Sequence, residues 1–262
     1  MRVFAFFLIL FSFIGTFGRA QDFSLYESKT FVAAKDTLLY RMMLPEGYKP
    51  GKKYPLIVFL HGSGERGNDN AAQLTHGGKF FMQDSIRRKY PAIVVFPQCP
   101  ANDQWTTIEG RWDSTVGRRI HYFLGGVSNK PAQLTTALIQ KMIADKKINT
   151  QRIYLGGLSL GGFGTFVLAA EHPGLFAAAF PICGGGDVNL SEKYNPKTAW
   201  WLFHGAKDDV VDPEYSRRFY KELQRKKFNV RYTEYPEANH DSWTDTFKEP
   251  QLMAWMFGKK LR

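Results

Sequence analysis

The sequence predicts an α/β domain with a mostly parallel central sheet and helices on both of its faces. Three observations carry that expectation. Short apolar runs recur along the chain, and most are continuous rather than alternating, as in strands buried on both faces. The segments between them place apolar residues at helical spacing. A serine flanked by glycines follows one of those runs directly, where a strand should turn into a helix.

Residues 31–43 alternate more than the rest and read as an antiparallel start. Leu56-Ile57-Val58-Phe59-Leu60 is the first buried strand, and Ala92-Ile93-Val94-Val95-Phe96 the second. Further strands are expected over 152–155, 178–182, 199–203 and 230–235. Helices fit between them. The segment 131–145 carries Leu134, Leu138, Ile139, Met142 and Ile143 on one face. A helix over 163–171 follows the serine, and one over 213–226 starts at Pro213 with Asp212 as a cap. The last helix spans 251–257. Residues 103–129 match none of these patterns. They are rich in Trp, Arg and Gly and form an insertion beyond a strand's carboxyl end, where long loops shape substrate sites.

Residues 1–20 read as a signal peptide: Arg2, then an apolar stretch to Phe17, then Gly18-Arg19-Ala20 as small residues at a cleavage site. The stretch is short for a spanning helix, which needs about 20 apolar residues. The expectation is therefore export to the periplasm or the medium, with 21–262 as one domain and no stable membrane insertion. The chain has 35 Lys+Arg against 24 Asp+Glu, a net +11. Without Arg2 and Arg19, 33 basic residues remain, a net +9. These charges are spread out, so they read as a solvated surface. With an export signal and no nucleic-acid motif, nucleic acid is not an expected partner. Two cysteines, Cys99 and Cys183, are too few for a disulfide scaffold or a Cys-rich metal site. Nothing in the composition sets an oligomeric state.

In open α/β sheets, sites form outside the carboxyl ends of the strands. Gly157-Leu158-Ser159-Leu160-Gly161 is a G-x-S-x-G pattern in that position, which makes Ser159 the candidate nucleophile. A serine needs a base, and the base an orienting acid. His240, a short turn after the last strand, is the candidate base. His204 precedes the acids and is in the wrong order. Asp208 or Asp209, after the fifth main strand, is the acid, with Asp187 a weaker alternative. The oxyanion needs backbone donors. The N–H of Leu160 is one, and Ser63 in His61-Gly62-Ser63-Gly64 the other, with Gly64 its competitor. Trp105 and Trp112 in the insertion, and Trp243 after the base, are candidates for stacking on substrate; packing of the loop onto the domain is the alternative. The six histidines (His61, His76, His121, His172, His204, His240) show no H-E-x-x-H spacing, so no metal or other cofactor is called for.

Together these pieces resemble the α/β-hydrolase family, and most closely its branch of dienelactone hydrolases, polyhydroxybutyrate depolymerases and feruloyl esterases. The matching segments are Phe59-Leu60-His61-Gly62-Ser63-Gly64-Glu65-Arg66-Gly67, Pro97-Gln98-Cys99-Pro100, Arg152 through Gly162, and Phe203-His204-Gly205-Ala206-Lys207-Asp208-Asp209-Val210-Val211. The resemblance implies the three-layer α/β-hydrolase fold and assigns the acid to Asp208, through its His-Gly-x-x-Asp pattern. It also implies a secreted serine esterase acting through an acyl-enzyme on small-molecule or polysaccharide esters, such as acetyl or feruloyl esters. Two other readings remain open: an amidase or peptidase of small peptides, and a non-catalytic binding protein on the same scaffold. Asp212, where the family often has Pro, and the long insertion depart from the pattern.

Overall fold

A computed structural model describes the backbone of residues 22–113 and 118–261, and the side chains of all of these except 110–125. The expected signal peptide lies outside the described residues. Among the described residues, no helix is long and apolar enough to cross a membrane.

An eight-stranded sheet runs in the order β1-β2-β4-β3-β7-β8-β9-β10. Its strands are β1 (Glu27–Ala33), β2 (Asp36–Met43), β3 (Tyr54–Leu60), β4 (Ile93–Pro97), β7 (Ile148–Leu158), β8 (Ala178–Ile182), β9 (Ala199–Gly205) and β10 (Val230–Tyr235). β1 and β2 form an antiparallel hairpin, and β2 joins β4 antiparallel; every other pairing is parallel. The continuous apolar runs are explained by what covers each face. Along β3, Leu56, Val58 and Leu60 enter one core while Ile57 and Phe59 enter the other. β9 does the same with Trp200 and Leu202 against Trp201 and Phe203.

The first core is closed by α3 (Lys130–Ala144), α4 (Leu160–Glu171) and α5 (Glu214–Arg225). Leu138, Phe166 and Phe219 are their buried contributions. Phe166 and Phe219 stack with ring centroids 3.9 Å apart. The second core is closed by α1 (Gly78–Met82), α2 (Asp84–Lys89), α6 (Trp243–Thr246) and α7 (Leu252–Phe257). Phe80, Phe81, Leu252 and Met256 fill it. Each fully buried large side chain contributes about 2–3 kcal/mol by leaving water, so the three layers hold together through their apolar area.

The early alternating segment is the antiparallel start that its pattern predicts. The insertion differs from expectation. Instead of an irregular loop, it forms a separate antiparallel pair, β5 (Thr106–Asp113) and β6 (Arg118–Ser128). Its Thr, Ile, Tyr and Phe residues favour a strand, but Gly, Arg and Trp among them hide the alternation. The short helices α1 and α2 were also not expected, since each is too brief to show a helical period.

Candidate active site

Ser159 stands between β7 and α4 with φ 50 and ψ −117, outside the regions that L-residues ordinarily occupy. Such a conformation costs about 1–3 kcal/mol and needs surroundings that enforce it. Two glycines make the turn sterically feasible. A Cβ on Gly157 would lie 2.3 Å from the Gly161 carbonyl oxygen, and one on Gly161 would lie 2.1 Å from that of Leu60. The Ser159 N–H donates to the Ile182 carbonyl at 2.9 Å, which ties the turn to β8. The hydroxyl therefore projects beyond the strand ends.

The turn after β10 brings His240 to it, with Nε2 2.9 Å from Ser159 Oγ. His240 Nδ1 lies 2.8 Å from Asp208 Oδ2. Asp208 is on the loop after β9, and its side chain is fully buried. Burial alone would raise its pKa. Hydrogen bonds from His204, His240 and the Val211 N–H outweigh that and hold the carboxyl well below the usual range. Asp208 is thus an anion whose partner is an imidazole. Nδ1 donates to the carboxylate, which leaves Nε2 as the acceptor facing the serine. A hydroxyl, an imidazole and a carboxylate in this sequence of contacts can turn the hydroxyl into a nucleophile.

The other acids do not join this line. Asp209 is exposed, and its backbone N–H donates to Asn239 Oδ1. Asp187 is exposed and caps the turn Val188–Lys193 by accepting from the Asn189 N–H. Asp212 accepts from the Glu214 N–H, and stands one residue before Pro213, which precedes the first turn of α5.

Ser63 and Leu160 line the same cleft as Ser159 and His240. The cleft has a volume of about 290 Å³; Arg66, Gln104, Ile108, Phe163, Val210 and Val211 complete its walls. Leu160 is the first residue of α4, so its N–H is one of the unpaired helix-start donors. The loop bearing Ser63 is braced from several sides. His61 is buried; its Nδ1 contacts the Gly62 carbonyl at 2.7 Å, and its Nε2 accepts from the Cys99 N–H at 2.9 Å. Burial pushes its pKa down to about 4, so the ring is neutral. Arg66 donates to the carbonyls of Ser63 and Asp103.

The tryptophans divide. Trp105 is not at the surface for stacking. It is completely buried, and its indole N–H donates to the His61 carbonyl at 2.9 Å, so it packs the start of the insertion onto the loop after β3. The side chain of Trp112 lies outside the described residues. Trp243 is half-buried, between the rings of His76 and His240 at 4.9 and 5.7 Å.

Sequence reasoning missed three neighbours of the site. Asn239 Oδ1 accepts from the backbone N–H groups of Asp209 and His240, which links the acid and base loops. Cys183, at φ 39, is a buried free thiol beneath the serine turn, raised well above its usual range by burial and by Asp208. Donor atoms of Cys183, Asp208 and His240 lie within 4.8 Å of one another. Two of the three groups are already joined to each other by the Asp208–His240 hydrogen bond. The third neighbour, His204, contacts Asp208. Its only sequence signal was the His-Gly-x-x-Asp spacing.

A sequence model of the family described as putative esterase matches residues 33–249. Among curated relatives, a probable acetylxylan esterase A of Aspergillus fumigatus is 28% identical over 195 residues, covering 70% of this chain and 47% of its own. Acetylxylan esterase A of Talaromyces purpureogenus is 31% identical over 129 residues, 49% of this chain and 31% of its own. The chain therefore spans about half or less of these relatives. Among solved structures, a thermostable esterase superimposes with a TM-score of 0.79 at 35% identity, over 91% of this chain and 64% of the other. A ferulic acid esterase of Anaeromyces mucronatus superimposes at 0.65 with 16% identity, over 87% and 89% of the two chains, a likeness of fold alone. With most of its length matched by the family model, this chain belongs to the putative esterase family.

Proposed function

We propose that the protein is an exported serine carboxylic-ester hydrolase acting on acetyl or feruloyl esters of polysaccharides. The observation that carries this reading is the unbroken line Ser159 Oγ, His240, Asp208 at 2.9 and 2.8 Å. In the proposed reaction Ser159 Oγ attacks the acyl carbon while His240 Nε2 takes its proton. Asp208 orients the ring and stabilises its positive charge. The backbone N–H groups of Ser63 and Leu160 hold the oxyanion. The tetrahedral intermediate collapses, the C–O bond to the alcohol breaks, and Nε2 returns the proton to the leaving oxygen. Water then attacks the acyl-enzyme by the same route, freeing the acid and the serine.

Family membership supports the ester preference, and the names of the relatives suggest the substrate class. The cleft agrees with it: Ile108, Phe163, Val210 and Val211 suit an acyl group, while Arg66 and Gln104 offer donors to sugar oxygens. Export rests on the pattern of residues 1–20. The test is labelling with a fluorophosphonate, beside hydrolysis of matched acetyl and feruloyl esters and their amides. Labelling that is lost in Ser159→Ala, with ester turnover exceeding amide turnover, is the expected result. A folded protein that neither labels nor hydrolyses esters would sink the reading.

A further inference from the structure

Asp208 accepts from four directions. Its Oδ1 takes the N–H groups of Val210 and Val211 at 2.9 and 2.8 Å. Its Oδ2 takes His240 Nδ1 at 2.8 Å and faces His204 Nε2 at 3.2 Å. A carboxylate has about four lone-pair positions, so all are engaged and every neighbour is a donor. A proton on Asp208 would have no acceptor.

His204 is fully buried at the end of β9. Its Nε2 has two near neighbours, Asp208 Oδ2 and the Val211 carbonyl at 3.0 Å, and both are acceptors. Nε2 must therefore carry hydrogen. Its Nδ1 is 2.7 Å from Ser216 Oγ on α5. Ser216 Oγ also donates to the Gly184 carbonyl at 3.4 Å. The ring is thereby clamped between α5 and the acid loop, with an N–H on the side that faces Asp208.

We propose that His204 is a positioning residue for the reaction: a second imidazole whose Nε2 hydrogen, shared with the Val211 carbonyl, faces the same oxygen of Asp208 that orients His240, fixing the carboxylate and limiting its basicity. This rests on the serine-esterase reading. Without that donor, Oδ2 becomes more basic and holds the protonated His240 more firmly. Loss of His204 should then move the acid limb of the pH–rate profile to higher pH. The charged groups that bear on this are Asp208 itself, Glu234 on β10 with its partner Arg217 on α5, and Asp241 with the Cys183 thiol on the Asp208 side.

The experiment measures kcat and KM for 4-nitrophenyl acetate across pH in wild type, His204→Leu, His204→Asn and His204→Gln, with fold checked by circular dichroism. Glutamine keeps an N–H near the position of Nε2; leucine has none, and asparagine is too short. The leucine and asparagine variants should move the acid limb up by about 0.5–1 pH unit. Their kcat should fall by about tenfold or more with KM little changed, and glutamine should restore the wild-type limb. If leucine fails to fold, the asparagine–glutamine pair decides. An unmoved limb in the folded donor-less variant, or glutamine behaving as they do, overturns the proposal. Ser159→Ala runs beside these: a wild type that does not depend on Ser159 refutes the esterase reading itself, whereas a Ser159-dependent wild type with an unmoved limb refutes only the role of His204.

Discussion

The same dipeptide stands where two strands of this molecule leave the sheet, His61-Gly62 just after β3 and His204-Gly205 at the end of β9, and their imidazoles do opposite things. His61 Nε2 accepts from the Cys99 N–H, while His204 Nε2 donates toward Asp208 and the Val211 carbonyl. Both rings are buried. The difference is set by what faces them: backbone groups of β4's end in one case, a catalytic-type carboxylate in the other. One ring therefore braces the loop bearing Ser63 and the other orders the acid. Only the third strand-end histidine, His240, keeps a nitrogen for Ser159.

The largest effect should separate His240 from the two buried rings. His240→Ala removes the acceptor of the serine proton and is expected to lower kcat by about 10⁴–10⁶-fold with the fold intact. Initial rates on 4-nitrophenyl acetate check it. If His61→Ala in a folded protein costs as much, the division between bracing and chemistry is wrong. Next comes Asp208→Asn. Its amide offers one acceptor oxygen and one NH₂ to a pocket of four donors, so at least one donor faces another donor. Activity should fall by about 10⁴-fold. Removing a buried charge from its partners should also cost about 3–5 kcal/mol, read from urea unfolding.

How much of this was legible in the sequence follows from the same two strand ends. That Ser159, Asp208 and His240 come together could be read because they follow strands whose apolar runs show on both faces, and strand ends converge in this architecture. The residues after those strands were also the right places to inspect for His61 and His204. Their roles were not legible, because a tautomer depends on partners 38 and 7 positions away in the chain. The hairpin of 106–128 was hidden for a related reason. Its strands pair with each other and not with the main sheet, so no continuous apolar run marks them. For Trp105 the sequence leaves stacking on substrate and packing of the loop onto the domain both open, and the buried indole selects the second.

A smaller effect sharpens the role of His61 through pH. Its unfolded pKa is near 6.5, and burial lowers the folded one to about 4. Between these values the unfolded chain binds a proton that the folded chain refuses. Stability from this group is therefore full above about pH 7 and declines as pH falls through 6.5 toward 4, by at most about 3 kcal/mol. The comparison is between wild type and His61→Gln in urea at pH 7 and pH 4. The variant should be less stable at pH 7 and lose less on acidification. Parallel losses in the two proteins would show that burial does not hold the His61 ring neutral.

The smallest effect tests the carbonyl side of the same brace. Trp105 donates its indole N–H to the His61 carbonyl from a completely buried position. Phenylalanine fills most of that volume but has no donor, so Trp105→Phe leaves a buried carbonyl unpaired. The cost should be about 1–3 kcal/mol in unfolding free energy. The imidazole of His61 is untouched by this change, so the stability lost between pH 7 and pH 4 should match wild type. That separates two ways of loosening one loop: removing the ring changes the pH slope, and removing the indole donor changes only the level. A Trp105→Phe protein whose pH slope also flattens would mean that the indole is part of what keeps the His61 ring shielded from a proton. A level within about 0.5 kcal/mol of wild type, the usual range for a surface substitution, would mean that the Trp105 bond contributes nothing to holding the loop over Ser159.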